Sequence, residues 1–427
     1  MQDQRPGTRP GPIASVGDLA RTHGHRAVRV TAAVAAVLVM LAGVGALIHF
    51  FGRRSTQAVT PSNVARLAPA WTADAGPGKV AGVDTTTDGL YVSGADGLFA
   101  YPLPCTVPVR SRTCAPLWEG RVPDGPLSVP TTDGDVVFVG SAAGHVYAYP
   151  TTCDAPQCRP LWTGEAGHGP VSAPSANDDF VYVTAGKLFA FPARCGTGNR
   201  ECPPAWIGQL PGHRVSGRPA VGGGLVVVSS GSPRGGVAAF PAVCIDPCKP
   251  VWTGATGGPA TAVTLSEDTA FVTARGQLLA FPLACKGTCR PAWAGTIVPG
   301  RPPDPGAIDA PTLGAGEVFV GAADGRLLAF PATCATASCP PLRQWSLGVL
   351  PLATPIVQDD VVYVVTGGGV VTAIPFGCDG ASPGCDAPWS EPLGATARSR
   401  PAATADGLYV GDDAGIVHAF TVPTGAA

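Results

Sequence analysis

The sequence predicts an all-β protein: an eight-bladed β-propeller of four-stranded antiparallel blades, its ring closed by an N-terminal strand, preceded by a single transmembrane helix. Three observations carry this. Tryptophan recurs at a near-constant interval along the chain, at Trp71, Trp118, Trp162, Trp206, Trp252, Trp293, Trp345 and Trp389. Between successive tryptophans lie short Val-rich and aromatic runs separated by Gly and Pro turns, the signature of hairpins. And a single long apolar run, Val30 to Phe51, stands apart from everything that follows it.

The N-terminal elements come first. Residues 1–28 carry Pro, Gly and scattered charge without periodicity, as expected of a short disordered tail. The segment 29–52 is the helix: VTAAVAAVLVMLAGVGALIHFF has only Thr31 and His49 as polar residues. At about 1.5 Å per residue it spans a hydrocarbon core of roughly 30 Å. It is longer than the apolar region of a cleaved signal and has no convincing small-x-small site behind it, so the anchor reading is favoured over the signal. Arg26 and Arg29 on one side balance Arg53 and Arg54 on the other, and charge does not orient it. Cysteine does: all 14 follow the segment, in local pairs, and paired cysteines belong to an oxidising compartment. The expectation is a single-pass protein of the cell membrane, inserted through residues 30–51, with the N-terminus cytoplasmic and the bulk extracytoplasmic. Residues 53–61 read as a linker and 62–423 as the propeller.

Within the propeller each unit repeats four signals in one order. A small or polar stretch ends in Pro, then an acidic turn leads to a run such as VFVG or VYVT. A Gly turn leads to a run such as VYAYP or LLAFP, and a cysteine-bearing loop leads to the tryptophan strand. Most tryptophan intervals are 41 to 47 residues, and the longer one before Trp345 contains the insertion VPGRPPDPG. Pro130, Pro174, Pro219, Pro311, Pro355 and Pro401 share one register position, which Val83 and Val263 fill in the other two units. Ala100, Ala148, Ala190, Ala239, Ala280, Ala329, Ala373 and Ala419 share another. A small residue kept beside a recurring tryptophan predicts a packing slot, the indole lying against the neighbouring unit where Ala leaves room. The first unit starts at its tryptophan strand and the last ends after its third strand, so the two halves complete one blade and close the ring at eight.

The cysteine loops join third to fourth strands. The pairs are Cys105–Cys114, Cys153–Cys158, Cys195–Cys202, Cys244–Cys248, Cys285–Cys289, Cys334–Cys339 and Cys378–Cys385, with three to eight intervening residues. A zinc knuckle needs fixed spacing and four converging ligands, and haem attachment or a redox pair needs C-x-x-C. Disulfide staples fit instead. The closing blade lacks a pair because its third and fourth strands come from opposite ends of the chain.

Units such as VFVGSAAGHVYAYP…PLWTG and VFVGAADGRLLAFP resemble the pyrroloquinoline-quinone-like propeller repeat, over about residues 62–423. The resemblance implies an extracytoplasmic, bacterial setting and relatives of two kinds: quinoprotein dehydrogenases, and the outer-membrane-protein assembly propeller lipoprotein, which is not an enzyme. Quinoprotein alcohol dehydrogenases of this fold use vicinal cysteines, a carboxylate and amide set for calcium, and long walling insertions. This chain has no adjacent cysteines, near-minimal blades and only Asn63, Asn177 and Asn199 after the anchor. No catalytic, cofactor-binding or metal residue is therefore assigned and no cofactor expected. The Asp133/Asp135 and Asp178/Asp179 turns lack the alternating spacing of a calcium loop.

With net charge −2 and no basic cluster, nucleic acid is not an expected partner. The polar residues to watch are those placed to line the channel: Arg218 and Arg400 just before the aligned proline, and Asp309 two before it, as a channel ligand site, with His168, His213, Arg214 and Arg398 near a channel mouth. The functional expectation is a membrane-anchored, extracytoplasmic, non-catalytic scaffold for a protein or cell-envelope partner. The rival readings are a small-molecule sensor and a quinone-dependent oxidoreductase.

Overall fold

The computed structural model describes residues 57–424 apart from 108–110, 196–200, 211, 299–309, 349–351, 377 and 379–388. The 30–51 segment lies outside the described residues. Among those described, no helix is long and apolar enough to cross a membrane.

Eight sheets make up the domain, each with four antiparallel strands and two with a fifth strand added. Blade 2 shows the common pattern. Its innermost strand is Thr131–Asp133, followed outward by Val136–Gly140, His145–Pro150 and Trp162–Glu165. Each blade is covered on both faces by its neighbours. For that reason the second strands do not alternate: Gly89–Ser93, Val136–Gly140, Val361–Val365 and Gly407–Gly411 are buried at every position. A strand buried on both faces reads as a continuous β-branched and aromatic run.

The closing blade, blade 8, combines Ala402–Thr404, Gly407–Gly411 and Ile416–Thr421 with Ala68–Asp74 as its outermost strand. Trp71 there stands opposite Ala419. Residues just before this strand, read from sequence as linker, also pack onto the ring. Gln57 bridges Val422, the Val59 amide donates to the Ala405 carbonyl at 2.7 Å, and Val59 is buried.

The aligned alanines and tryptophans are direct cross-strand partners inside one blade, as in Ala100 with Trp118, Ala148 with Trp162 and Ala280 with Trp293. The expectation that the alanine made room in a neighbouring unit is corrected here. What the indole meets in the next blade is an aromatic ring: Trp118 lies 6.0 Å from Tyr149, Trp162 6.1 Å from Phe191, and Trp252 6.0 Å from Phe281. The residue that makes room is the glycine two after the tryptophan. A Cβ on Gly120, Gly164, Gly254 or Gly295 would sit 2.5–2.6 Å from Tyr149, Phe191, Phe281 or Phe330 of the next blade. Trp-x-Gly is thus the unit of blade docking, a signal present in the sequence and overlooked there.

Blade 6 departs from the aligned register. Arg343, not Trp345, faces Ala329, and Trp345 pairs with Leu327 two residues on. Trp345 therefore does not occupy the slot that the tryptophan alignment gave it. Arg343 takes the place of the indole: its guanidinium pairs with Glu317, donates to the Phe376 carbonyl and to that of Cys378 at 3.1 Å, and lies 5.6 Å from the Trp345 ring. The sequence PLRQW inserts two residues before the tryptophan, and a two-residue shift keeps both side chains on one face of the strand.

The aligned prolines sit at the innermost strands. No further strand pairs beyond them, so a missing N–H costs nothing there. Their carbonyls are used: Thr131 Oγ1 donates to Pro174 O at 2.8 Å, Ser175 Oγ to Pro219 O at 2.6 Å, Thr312 Oγ1 to Pro355 O at 2.5 Å, and Thr264 Oγ1 to Pro311 O. A belt of hydroxyl-to-carbonyl bonds thus joins consecutive blades around the channel.

Candidate functional site

Two regions carry chemistry or contact potential: the wall of the central channel, and the outer rim built from the cysteine loops.

At the channel, the position before the aligned proline is small in most blades and arginine in blades 4 and 8. These blades lie opposite one another in a ring of eight. Blade 4 presents Arg218 through a bulge. Its innermost strand Val215–Gly222 slips register between Ser216 and Ala220, and Gly217 adopts φ +77°. A side chain at Gly217 would be strained, and its Cβ would lie 2.2 Å from the Thr261 carbonyl. A bulge re-aims the residue beside it, here sending the Arg218 side chain back across blade 3. Its Nε donates to Ser175 Oγ at 3.0 Å and its Nη2 to Thr131 Oγ1 at 3.3 Å. All these acceptors are neutral. Burial, then the positive charge of Arg400, pull the Arg218 guanidinium down to about 10, against a smaller opposite effect of Asp84. Arg218, Arg400 and Asp84 therefore share one electrostatic environment although they come from blades 4, 8 and 1. The Asp84 carboxylate accepts the Thr132 amide at 2.7 Å and the Thr132 hydroxyl at 2.9 Å.

Asp309 falls outside the described residues. His168 and Arg398 do not join the arginine cluster: His168 is exposed and Arg398 reaches Asp413 at 3.8 Å. Arg214 does approach it, bordering a cavity of about 650 Å³ between blades 3 and 4 that Arg218 also lines. Asp135 in the acidic turn of blade 2 pairs with Arg194 at 2.8 Å. Among the described residues no three His, Cys, Asp or Glu side chains come together as a metal site.

The rim is built differently from a row of free hairpin loops. The structure closes Cys105–Cys114, Cys153–Cys158, Cys195–Cys202, Cys244–Cys248, Cys285–Cys289 and Cys334–Cys339. Cys378 is disulfide-bonded too, and Cys385 lies outside the described residues. Among the described residues, the second cysteine of each closed loop reaches the outermost strand of the preceding blade. The Cys158 amide donates to Glu119 O at 2.8 Å, Cys202 to Thr163 O at 2.8 Å, Cys248 to Ile207 O at 3.0 Å and Cys339 to Ala294 O at 2.9 Å. Thr113–Cys114 and Gly287–Cys289 extend this contact into short parallel strands. Every such contact covers a sheet edge that would otherwise offer free backbone groups. Blade 8 has no cysteine loop, and its place is filled by the segment that leads into the strand Ala68–Asp74: the Trp389 indole N–H donates to Leu67 O at 2.8 Å.

The large apolar side chains left exposed collect on this rim. Leu117, Leu161, Val251 and Leu342 each hold the last position of the connection into the fourth strand, and Val243 and Ile245 stand in the blade 4 cysteine loop, 69% and 87% exposed. That loop is tied at two points: besides its disulfide, the Asp246 carboxylate accepts the Ile207 amide of blade 3 at 2.9 Å. Sequence reasoning left these residues aside, because a lone Ile in a Cys loop gives no period from which to read exposure.

A family model described as outer membrane protein assembly factor BamB matches residues 68–288. No curated protein sequence matches. Among solved structures, BamB from Moraxella catarrhalis superposes with a TM-score of 0.60 at 15% identity, over 84% of this chain and 99% of that one. The computationally designed Ika8 protein gives 0.66 at 11%, over 83% and 99%. Sqt1 of Saccharomyces cerevisiae gives 0.64 at 9%, over 87% and 100%. At such identities the structural likeness speaks for the fold alone.

Proposed function

This chain belongs to the family of propellers described as outer membrane protein assembly factor BamB, and from that premise we propose that it is a non-catalytic, membrane-anchored module that holds a protein partner of the cell envelope on its rim, outside the cytoplasm. The observation that supports this most is the apolar tip of the blade 4 loop. Val243 and Ile245 are presented to solvent on a loop that a disulfide and the Asp246 contact hold in place. Exposed apolar residues cost solubility unless a partner covers them, and a loop already ordered loses little entropy on binding. The disulfides support the extracytoplasmic setting, since such bonds persist in oxidising compartments. The apolar 30–51 run supports the anchor.

The test is photo-crosslinking in intact cells from a reactive residue at the exposed position 249 of the same loop, with Val243→Ser/Ile245→Ser as the comparison. A discrete set of envelope proteins is expected from the native surface, with at least a roughly tenfold loss in the double variant. Surface changes of this kind shift stability by only about 0.5 kcal/mol, so melting temperatures should agree. Equal crosslinking from native and variant surfaces would sink the rim reading. Alkylation of cysteines in protein taken directly from cells tests the compartment: abundant free thiols would contradict an oxidising one.

A further inference from the structure

We propose that the channel mouth between blades 3 and 4 is a binding site for a small organic anion carrying at least two acidic groups, held by Arg218 and Arg214 with hydroxyl support from Ser216 and Ser232. This is independent of the rim: either reading can fail alone.

The cavity of about 650 Å³ is lined by residues 170–173 and 184–186 of blade 3 and 214–218 and 231–233 of blade 4. Both charged residues of its lining are arginines, and no acidic side chain lines it. Among the described residues neither Arg214 nor Arg218 makes an ion pair. Arg218 donates its hydrogen bonds to the hydroxyls of Ser175 and Thr131, and the attraction of Asp84, which makes no ion pair with it, is outweighed by burial and by Arg400. A guanidinium drawn out of bulk water without a counter-charge is costly, and proteins normally pair such a group. The low titration point of Arg218 reports the same cost, and perturbed groups of this kind gather at binding sites. An anion in the mouth would remove the penalty by supplying the missing charge.

The surrounding donors suit an oxyanion. Ser232 Oγ accepts the Arg214 amide at 3.0 Å and Ser216 Oγ accepts the Gly231 amide at 3.0 Å. Each hydroxyl keeps its own proton to donate. The Arg214 guanidinium lies over Gly186, whose Cβ, were there one, would be 3.4 Å from Nη2, so the glycine keeps the arginine close to the cavity wall. Arg400 adds positive potential from the opposite side of the channel, as its effect on Arg218 shows. Two separate guanidinium forks in one cavity favour a ligand with two separate acidic groups, since each fork matches one carboxylate or phosphate. The volume is within the range of small-molecule sites.

The experiment uses the full chain in detergent solution, titrated with citrate and with inorganic phosphate against sodium chloride of matched ionic strength. Calorimetry and the thermal midpoint are both followed. A saturable rise in midpoint is expected, as for any ligand that binds only the folded state. Citrate saturating ahead of phosphate supports recognition of two separate acidic groups, and phosphate saturating ahead of citrate would overturn the two-group reading. Arg218→Gln and, separately, Arg214→Gln should each weaken the preferred anion by about tenfold or more, the scale of a lost charge-assisted bond. Arg398→Gln, outside the cavity, should leave affinity unchanged. Arg214 is exposed, so its variant keeps the test sound should the Arg218 variant misfold. No saturable response beyond chloride overturns the proposal, and so does a response that survives both the Arg214 and Arg218 changes.

Discussion

Ring closure rests on the strand Ala68–Asp74, and removing it is the sharpest test of the architecture. The strand pairs with Ile416–Thr421 from Ala68 opposite Thr421 to Asp74 opposite Ile416. Trp71 is 7% exposed and lies 5.9 Å from the Tyr409 ring, in a cluster that also holds Ala73 of the same strand, Ala75 just after it, and Val80, Tyr101 and Cys114 of the first blade. The substitution Trp71→Ala deletes this contact and leaves a cavity, a loss of about 3–5 kcal/mol. A domain of this kind has only about 5–15 kcal/mol in all. Trp206→Ala, at a blade whose strands are all contiguous in sequence, should cost about the same locally. A protein starting at residue 80 should behave differently from both. It loses the whole strand, the Leu67 carbonyl that accepts the Trp389 indole N–H, and the buried side chains of Val59, Val64 and Leu67. It leaves the edge of Ile416–Thr421 open to another chain. Urea unfolding followed by tryptophan fluorescence, with light scattering, compares it with a protein starting at residue 57. The shorter one should aggregate or unfold without a cooperative transition. Matching midpoints and slopes for the two would refute the closure argument.

Three further outcomes follow from particular contacts. Cys153→Ser/Cys158→Ser should cost about 2 kcal/mol by the loop-entropy relation for a loop of this length, together with faster proteolysis near Glu119, whose carbonyl loses its ordered Cys158 partner; limited proteolysis mapped by mass spectrometry reads this. Gly164→Ala should destabilise by about 1–3 kcal/mol, because the new Cβ would meet Phe191 at 2.6 Å, whereas Gly212→Ala, with nothing near its Cβ, should show only the milder cost of its positive φ; chemical denaturation distinguishes the two. Asp324 has its carboxyl held below the ordinary range: partial burial acts upward, but hydrogen bonds from Arg326 outweigh it. A depressed folded-state value means its contribution is present above the unfolded value of about 4 and fades as pH falls through the folded one. The stability gap between native protein and Arg326→Ala should therefore be widest near neutral pH and narrow in acid, seen as converging melting temperatures.

Much of the fold was legible because a repeat writes each structural demand many times. Eight tryptophans, eight alanines and six prolines in register gave the blade count and the closing strand without any tertiary information. The pairing of cysteines followed from local spacing for the same reason. The register of blade 6 was not legible, since PLRQW carries both an arginine and a tryptophan on one strand face, and only packing against Glu317 and the carbonyls of Phe376 and Cys378 selects the arginine for the slot. The channel arginines were visible as exceptions at a position otherwise small, yet their convergence was not.

What the sequence by itself determined, then, is what depends on neighbours within a hairpin, the blade 6 register apart: strand order, turn positions, the disulfide loops and the incomplete end units that make one blade. The tertiary structure decided what depends on contacts between blades. It turned the cysteine loops into covers for the preceding sheet edge, gave the glycine of Trp-x-Gly its purpose against the next blade's aromatic ring, and set Arg218 across blade 3 through the Gly217 bulge. The physical reason is range. Hairpin geometry is set by residues a few positions apart, whereas burial and charge in a closed ring are set by side chains from blades far apart in the chain, brought together only when the last strand completes the circle.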